Sequence, residues 1–513
     1  MRCSALFLVA WQLVTAAHAQ RPESAARALP VTVQAALQRA ELPADALAAV
    51  ALPLAGAKGG RWPRAWGFQA QRPMQPGSAM KVVTSIVALD RLGPNLRGST
   101  ELRSAAPLLP DGTLQGDLAL VGGADPELGV PQFWALLQEL RAAGVHTITG
   151  NLIVDRTLWR PARADVGLPP FDNAPEFPYN VIPDALQLAG ALLPLRLASD
   201  ADSVQASTVP LLPGLRVSSR MTLTDGRCAA WGDGWQSAVV NPETAADVAP
   251  VAGTALGTVI ELQGSYPRNC TQRIELQLID RQELTERLFA ALWQQLGGRW
   301  QGRAVEAAAP AGARVLARRV SRTWGEVLRP MNKSSDNALT RMLFLNLGQA
   351  AMASNPQAST AELAGREVLG WLAEHRIDSS GVVLENGSGL SRSERISPQQ
   401  LAQMLKVAHS ARYASDLMMS LPVPGVDGTM RNRLKDSPAA GWARLKTGTL
   451  RNVVALAGYV SDAQGQAWAV VMMLNHDNAS RGRPVLDAMI DHIVRHGPHA
   501  RLRPAVGPQA EGP

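Results

Sequence analysis

The feature that most constrains the fold of this 513-residue chain is a change of sequence pattern at both borders of residues 99–311. Within that block, short strand-like runs such as LALVGG and IELQLI alternate with clusters of Pro, Gly and Asp, which predicts β-rich structure. Helical periodicity and longer apolar strands prevail on either side. We therefore expect one domain built from two distant pieces, 20–98 and 312–497, with 99–311 inserted between them as two modules.

The flanking pieces predict an antiparallel sheet flanked by helices, which is an α+β arrangement. The last two of three C-terminal strand-like runs are joined by the turn sequence SDAQGQ, typical of a hairpin. Apolar runs predict strands over 46–54, 442–449, 453–460 and 467–475. Helical spacing predicts helices over 31–40, from Ser78 to the Gly-Pro stop at 93–94, and over 321–329, 337–347, 360–375 and 484–497.

Ser78-Ala79-Met80-Lys81 places a hydroxyl and an amine three residues apart. On a helix this spacing brings both side chains to the same face. A serine hydroxyl is a weak nucleophile until a base takes its proton, and a partly desolvated lysine amine can do so when its pKa is lowered. The S-x-x-K pattern is common on surface helices, so it indicates a nucleophile and its base only together with other motifs.

Two further motifs follow in the C-terminal piece. Ser-Asp-Asn at 335–337 begins a predicted helix, where Ser and Asp are also ordinary caps. Lys-Thr-Gly at 446–448 lies on a predicted strand, where the glycine lets a substrate backbone approach and the lysine alternatively protects a sheet edge. Each motif alone has a structural explanation, but the three in this order, on a helix, a helix start and a strand, favour one shared site.

The three motifs resemble those of the penicillin-recognising serine enzymes, which include D-Ala-D-Ala peptidases and serine β-lactamases. The long interval between the first two motifs is typical of class C low-molecular-mass penicillin-binding proteins, the D-alanyl-D-alanine carboxypeptidase/endopeptidase family of the penicillin-binding protein 4 type. Other stretches extend the likeness over nearly all of the mature chain: VGGADP, GNLIVD, FPYNVIPDALQL, NGSGLSR, PVPGVDGTMRNR and LKTGTLRNVVALAGYV. The resemblance implies a β-lactamase/transpeptidase-like fold with a large β-rich insertion.

The resemblance also implies a role for each motif residue. Ser78 would attack the carbonyl of the penultimate D-Ala, and Lys81 would take its proton. Ser335, assisted by Lys446, would relay a proton to the leaving amine, while Asn337 would hold the substrate amide and orient Lys81. The remaining groups would form the oxyanion hole and the carboxylate site: the backbone amides of Ser78 and Thr449, and the side chains of Thr447 and Thr449 beside Gly448.

The implied function is a serine D-Ala-D-Ala carboxypeptidase, a D,D-endopeptidase, or both, acting on peptidoglycan peptides through an acyl-enzyme. It needs no cofactor and no metal, and β-lactam antibiotics would be covalent inhibitors. Two alternatives stay open. One is a serine β-lactamase, and the other is a cell-wall-binding or scaffold protein that keeps the fold without catalysis, against which the intact motifs argue.

The chain departs from the family pattern at Asn386, where Asp is usual, and at Thr340 and Arg341, where small and acidic residues are usual. The first departure begins the run Asn-Gly-Ser-Gly, which offers Ser388 as a rival nucleophile. That run lacks the full G-x-S-x-G motif, and no His lies nearby in sequence. We therefore expect a tight turn that shapes the site.

The N-terminus has the features of a signal peptide. A basic residue precedes an apolar run over 5–17, and Ala-His-Ala at 17–19 offers an A-x-A cleavage site. A membrane anchor is the alternative, but the run is shorter than the roughly 20 apolar residues of a spanning helix. Residues 1–19 are therefore predicted to direct export to the periplasm, with loose or no membrane association afterwards. The Pro-rich tail over 498–513 is predicted to be flexible.

Cleavage would leave Cys228 and Cys270 in an oxidising compartment, which favours a disulfide between them. Two separate buried thiols are the alternative. No cluster of His adjoins either cysteine, so a zinc site is not expected.

The formal charge of +7 would permit binding to anionic polymers. Arginines are spread along the whole chain, however, and with 4 Tyr and 7 Phe the aromatic platforms on which bases stack are scarce. We therefore expect a solvated basic surface and no nucleic-acid partner.

Overall fold

The computed structural model describes residues 28–54, 63–240 and 257–499. The predicted signal peptide and all but the first two residues of the predicted tail lie outside these ranges. No helix within them is both long and apolar enough to cross a lipid bilayer. The α-helices are α1 Val31–Arg39, α2 Met80–Arg91, α3 Val130–Ala142, α4 Arg281–Gln295, α5 Trp324–Ser334, α6 Asn337–Gln349, α7 Thr360–Glu374, α8 Pro398–His409, α9 Ala414–Ser420 and α10 Arg483–His496.

The strands fall into one sheet formed by the ends of the chain and several sheets in the inserted block. They are β1 Leu47–Pro53, β2 Trp66–Phe68, β3 Arg97–Ser104, β4 Thr113–Leu114, β5 Leu118–Gly123, β6 Thr147–Ile148, β7 Leu152–Asp155, β8 Leu193–Ser199, β9 Val204–Thr208, β10 Leu215–Ser219, β11 Thr222–Thr224, β12 Trp235–Val240, β13 Thr258–Pro267, β14 Thr271–Leu276, β15 Arg299–Trp300, β16 Ala304–Glu306, β17 Arg314–Thr323, β18 Arg444–Leu450, β19 Val453–Ser461 and β20 Ala467–Asn475.

The central sheet is antiparallel and has the strand order β18-β19-β20-β1-β2. Helices α1 and α10 cover one face, and α2 with α5 to α9 covers the other. Strands β1, β19 and β20 are apolar along nearly their whole length because both of their faces are buried. Alternate residues of β1 show this: Ala48, Val50 and Leu52 enter the core on the α2 side, and Leu47, Ala49 and Ala51 enter the core on the α10 side.

The inserted block has its own core, which contains α3, α4 and the inner faces of several short sheets. The two helices were not predicted from the sequence, although each carries apolar residues at helical spacing. In α3 these are Phe133, Leu136, Leu137 and Leu140, all buried. Pro, Gly and Asp residues are frequent on both sides of these helices, and the short apolar runs between such residues were interpreted as strands. The block is therefore mixed α and β.

The largest sheet of this block, β16-β7-β5-β3-β17, extends beyond both predicted borders. It begins with β3 at Arg97 and ends with β17 at Thr323. The helix predicted over 321–329 was therefore placed too early, since the chain is still extended up to Thr323, whose hydroxyl caps α5 by accepting from the Glu326 amide. The other predicted helices and strands of the flanking pieces are confirmed, apart from the start of α2.

Cys228 and Cys270 form a disulfide, with their Cα atoms 5.4 Å apart. The predicted bond is thus confirmed. Cys270 immediately precedes β14, and Cys228 begins a short 3₁₀ turn whose Trp231 ring packs against Phe177. The disulfide therefore cross-links the part of the inserted block that packs against Phe177.

Candidate active site

Ser78 lies in a 3₁₀ turn, Gly77–Ala79, that leads directly into α2. The sequence predicted that the helix would start at Ser78, but regular α-helix begins at Met80. The turn exists because Gly77 adopts a positive φ of 50°, which an L side chain rarely allows. Lys81 is one turn further on, and its Nζ donates to the Oγ of Ser78 over 3.2 Å. The predicted nucleophile and base are in contact.

The Lys81 side chain is fully buried, and two further oxygens hold its amine. Nζ donates to Oδ1 of Asn337 and to the backbone carbonyl of Ser388, each over 2.6 Å. Burial lowers the pKa of Lys81 well below its usual range, and the nearby charge of Lys446 lowers it further. A lysine with a lowered pKa has a neutral amine available to accept the serine proton.

Ser335 connects α5 to α6 in a left-handed conformation, with φ 64° and ψ 41°. This backbone is unusual for a residue other than glycine. Its Oγ accepts a hydrogen bond from Nζ of Lys446 over 2.8 Å. Asp336 caps α6 by accepting from the Leu339 amide over 2.9 Å. The Ser-Asp-Asn motif therefore serves both as a helix cap and as part of the site.

Lys446 is fully buried on β18, the edge strand of the central sheet. Its Nζ also donates to the carbonyl of Thr447 over 2.9 Å. Burial lowers the pKa of Lys446 to about 7. The Thr447 hydroxyl donates to that of Thr429 over 2.7 Å, whereas the Thr449 side chain is exposed.

Gly448 allows β18 to lie against the nucleophile turn. A Cβ at this position would be 2.3 Å from the carbonyl oxygen of Pro76 and 3.1 Å from the amide nitrogen of Ala79. A Cβ on Gly77 would likewise lie 3.1 Å from the amide nitrogen of Thr449. The strand and the turn are therefore in backbone contact, which brings the backbone amide of Thr449 close to the turn that carries Ser78.

The inserted block contributes one wall of the site. The backbone carbonyl of Tyr179 accepts from Nδ2 of Asn337 over 2.9 Å. One helical turn further along α6, the buried Arg341 donates to the carbonyl of Val181 over 3.2 Å. Arg281 of α4 supports this wall by donating to the carbonyl of Ile182 over 2.7 Å. The block thus orients Asn337, which in turn contacts Lys81.

A family model described as the D-Ala-D-Ala carboxypeptidase 3 (S13) family matches residues 30–494. The chain belongs to this family. Among curated relatives of this S13 chain, a D-alanyl-D-alanine carboxypeptidase of Actinomadura sp. (strain R39) is 29% identical over 434 residues, covering 83% of this chain and 77% of the relative. D-alanyl-D-alanine carboxypeptidase DacB of Haemophilus influenzae is 26% identical over 408 residues, covering 78% and 80% of the two chains.

Solved structures show the same fold for this S13 family member. Penicillin binding protein 4 from Haemophilus influenzae matches with a TM-score of 0.70 at 22% identity, covering 89% of this chain and 97% of that protein. A second structure of that protein, in complex with a β-lactam, matches with a TM-score of 0.68 at 21% identity and covers 91% of this chain and 100% of that chain. The predicted β-lactamase/transpeptidase-like α+β fold is confirmed.

The structure brings the five predicted catalytic side chains of this S13 chain together, whereas Cys228 and Cys270 belong to the inserted block. The sequence missed the carbonyl of Ser388 and the wall residue Tyr179. Ser388 is fully buried, and its hydroxyl donates to Asn386 over 2.6 Å, so its carbonyl is the group that contacts Lys81. The flanking glycines signalled a turn, and Tyr179 lies in the family-like stretch FPYNVIPDALQL, for which the sequence indicated no position in the fold.

Proposed function

We propose that this protein is a serine hydrolase that cleaves D-alanyl-D-alanine bonds as a carboxypeptidase, D,D-crosslinks as an endopeptidase, or both, in peptidoglycan peptides. The observation that carries this proposal is the 3.2 Å contact between Nζ of Lys81 and Oγ of Ser78, where burial lowers the pKa of the lysine. A neutral amine beside a hydroxyl is what activation of a serine nucleophile requires. Membership of the S13 family and the named carboxypeptidase relatives support the same chemistry.

In the proposed acylation, Lys81 removes the hydroxyl proton of Ser78 as Oγ bonds to the carbonyl carbon of the penultimate D-Ala. Negative charge then develops on the carbonyl oxygen, to which the amides of Ser78 and Thr449 would donate; such donors contribute roughly 3 kcal/mol each in hydrolases. The proton that Lys81 has taken passes through Ser335, whose Oγ accepts from Lys446, to the leaving amine, and Lys81 becomes neutral again. The C–N bond breaks, and the acyl group stays on Ser78.

Water completes the proposed reaction by attacking the ester carbonyl, with Lys81 accepting the water proton and returning it to the serine oxygen. Asn337 would hold the substrate amide as well as Lys81. A substrate peptide would lie along β18, since an edge strand can pair with an added extended chain. Its carboxylate would bind the hydroxyls of Thr447 and Thr449. A β-lactam would acylate Ser78 by the same steps.

We also propose that the pieces predicted as 20–98 and 312–497 form the catalytic domain around the insertion predicted as 99–311, with β3 and β17 counted to the insertion because they pair with each other. The support is the central sheet, in which β1 and β2 from the first piece are paired with β18 to β20 from the second. Export to the periplasm through the signal peptide over 1–19 is part of the same proposal. The disulfide supports it, because such bonds persist in oxidising compartments.

The decisive experiment is labelling with a fluorescent penicillin, with Ser78→Ala as the control. We expect stoichiometric labelling of the wild type and none of the variant, with little change in melting temperature because the Ser78 side chain caps no helix. A folded wild type that takes no label would overturn the assignment and favour a non-catalytic scaffold. Slow release of penicilloate indicates a peptidase, and rapid turnover a β-lactamase. Mass analysis of digested muropeptide monomers and dimers then separates carboxypeptidase from endopeptidase activity.

A further inference from the structure

Glu394 is a fully buried carboxylate that the proposed reaction does not use. Its Oε1 accepts from the amides of Glu385, Asn386 and Gly387 over 3.1, 3.0 and 2.7 Å. Its Oε2 accepts from the amide of Gly389 over 2.9 Å. Four amide donors around two oxygens match an ionised carboxylate, which only accepts hydrogen bonds. The turn over 385–389 is therefore wrapped around this one side chain.

The carbonyls of the same turn are directed to the other side, towards α2. The carbonyl of Ser388 accepts from Nζ of Lys81 over 2.6 Å, and the carbonyl of Gly387 accepts from the hydroxyl of Thr84 over 2.7 Å. In a planar trans peptide the N–H and C=O groups point in opposite directions. The Gly389 N–H donates to Glu394, so the Ser388 carbonyl of the same peptide unit faces the opposite way, towards Lys81.

The turn is also in backbone contact with the nucleophile. Gly389 has φ 83°, and a Cβ there would lie 1.9 Å from the carbonyl oxygen of Gly77 and 2.8 Å from the amide nitrogen of Ser78. Gly387 has φ 69°, and a Cβ there would lie 2.6 Å from the ring of Phe344. These two glycines have no side chains to hold the path of the turn, so the carboxylate on its inner side does so.

We propose that Glu394 is a positioning residue for the catalytic base: it binds the amides of residues 385–387 and of Gly389 and thereby directs the Ser388 carbonyl onto the amine of Lys81. The amine is then held within reach of Ser78 by this carbonyl on one side and Asn337 on the other. This inference rests on the proposed function, because Lys81 is taken as the base that activates Ser78.

The charged groups that face Lys81 set the sign of the expected pH effect. Lys446 and Arg341 lower the pKa of Lys81, while Asp336 and Glu394 raise it. The Ser388 carbonyl also favours the ammonium form by accepting its hydrogen bond. Neutralising Glu394 therefore removes a nearby anion and loosens a carbonyl acceptor, and both changes lower the pKa of Lys81.

The test is Glu394→Gln, which keeps the size of the side chain but places a donor among the four amide donors. We expect the second-order rate of acylation by fluorescent penicillin to fall about tenfold to a hundredfold, as when a hydrogen bond to a charged group is lost. We also expect the acidic limb of its pH profile to move to lower pH, since that limb reports the base of the free enzyme. A purely structural role would reduce the folded fraction without moving the limb.

Glu385→Gln is the matched control. Glu385 lies on the same turn, but it is exposed, and its carboxylate accepts only from the hydroxyls of Ser391 and Ser393 among the described contacts, over 2.6 and 2.5 Å. The Glu385 carboxylate binds no amide of the turn. The acylation rate of the Glu385→Gln variant and the acidic limb of its pH profile should therefore equal those of the wild type. Equal effects of the Glu385 and Glu394 variants would overturn the proposal.

The outcomes separate this inference from the proposed function. A wild type that takes no label overturns the function itself, whereas a labelled wild type with a folded Glu394→Gln variant of unchanged rate and limb overturns the positioning role alone. If Glu394→Gln does not fold, Glu394→Asp provides the test, because it keeps the charge but withdraws the carboxylate from the amides of Gly387 and Gly389 by one methylene group. A slower rate in that variant supports the proposal, and an unchanged rate overturns it.

Discussion

The Nζ atom of Lys81 lies 2.6 Å from the Oδ1 atom of Asn337, although 256 positions separate the two residues in the sequence. Replacing Asn337 with Asp puts a carboxylate at that distance, which stabilises the ammonium form and raises the pKa of Lys81. The neutral base becomes scarcer at neutral pH. We expect acylation by fluorescent penicillin to slow at pH 7. We also expect the acidic limb of the pH profile of the acylation rate to move to higher pH.

Asp336→Asn is the control of opposite sign. Asp336 raises the pKa of Lys81, and Asn is an equally good helix cap, so its replacement should move the limb to lower pH with little loss of stability. If the acidic limb moved in the same direction in both variants, the result would contradict the assignment of these pH shifts to the charge beside Lys81.

Lys446 makes the free energy of unfolding depend on pH. Burial lowers its pKa to about 7 in the folded state, from the ordinary lysine value of 10.5. Between these values the unfolded chain binds more protons, so stability rises with pH in this window. Below about pH 7 both states are protonated and the contribution is flat. The free energy of unfolding of the wild type relative to Lys446→Met should therefore rise between pH 7 and 9, by at most about 1.4 kcal/mol per pH unit.

Urea denaturation of both proteins at pH 6, 7, 8 and 9 measures this difference. Lys81→Met is introduced into both proteins, because the charge of Lys446 lowers the pKa of Lys81 and the titration of Lys81 would otherwise differ between them. A difference that is flat from pH 7 to 9, or that falls, would contradict a lowered pKa of Lys446.

Ser335 combines a useful hydroxyl with an unfavourable backbone conformation. A left-handed residue other than glycine costs roughly 1–2 kcal/mol, and Ser335 has φ 64°. Ser335→Gly and Ser335→Ala both remove the hydroxyl that accepts from Lys446. We expect both to slow acylation, and we expect the glycine variant to be more stable than the alanine variant by about 1 kcal/mol. Thermal denaturation of the pair tests this, and equal stability would show that the backbone stores no strain.

Gly448 tests the contact between the edge strand and the nucleophile turn. In Gly448→Ala the new Cβ meets the Pro76 carbonyl at 2.3 Å, so β18 must move away from Ser78. The Thr449 amide would then leave the oxyanion position, and we expect acylation to fall about a hundredfold or more. Gly370→Ala in α7 is the control, because its Cβ would meet nothing within 4 Å. Normal labelling of Gly448→Ala would argue against an oxyanion role for Thr449.

Local sequence pattern was sufficient for the elements that carry the site. Buried strands such as β19 and β20 are recognisable from their nearly continuous apolar residues, and α6 begins directly after the Asp that caps it. The inserted block was predicted less completely, since α3 and α4 lie among many turn residues. The start of α5 was misplaced because SRT at 321–323 continues β17 through its pairing with β3, a contact that the sequence does not display.

The sequence by itself predicted Ser78, Lys81, Ser335, Asn337 and Lys446 as the catalytic side chains, because each belongs to a short motif whose residue types carry the chemistry. Only the tertiary structure decided what holds them: the carbonyls of Ser388 and Tyr179, and the carboxylate of Glu394. Every residue has a backbone carbonyl, so the chemical type of a residue cannot reveal which carbonyl will face an amine. That choice is made when packing of the inserted block and of the turn at 385–389 against α2 and α6 brings distant backbone into the site.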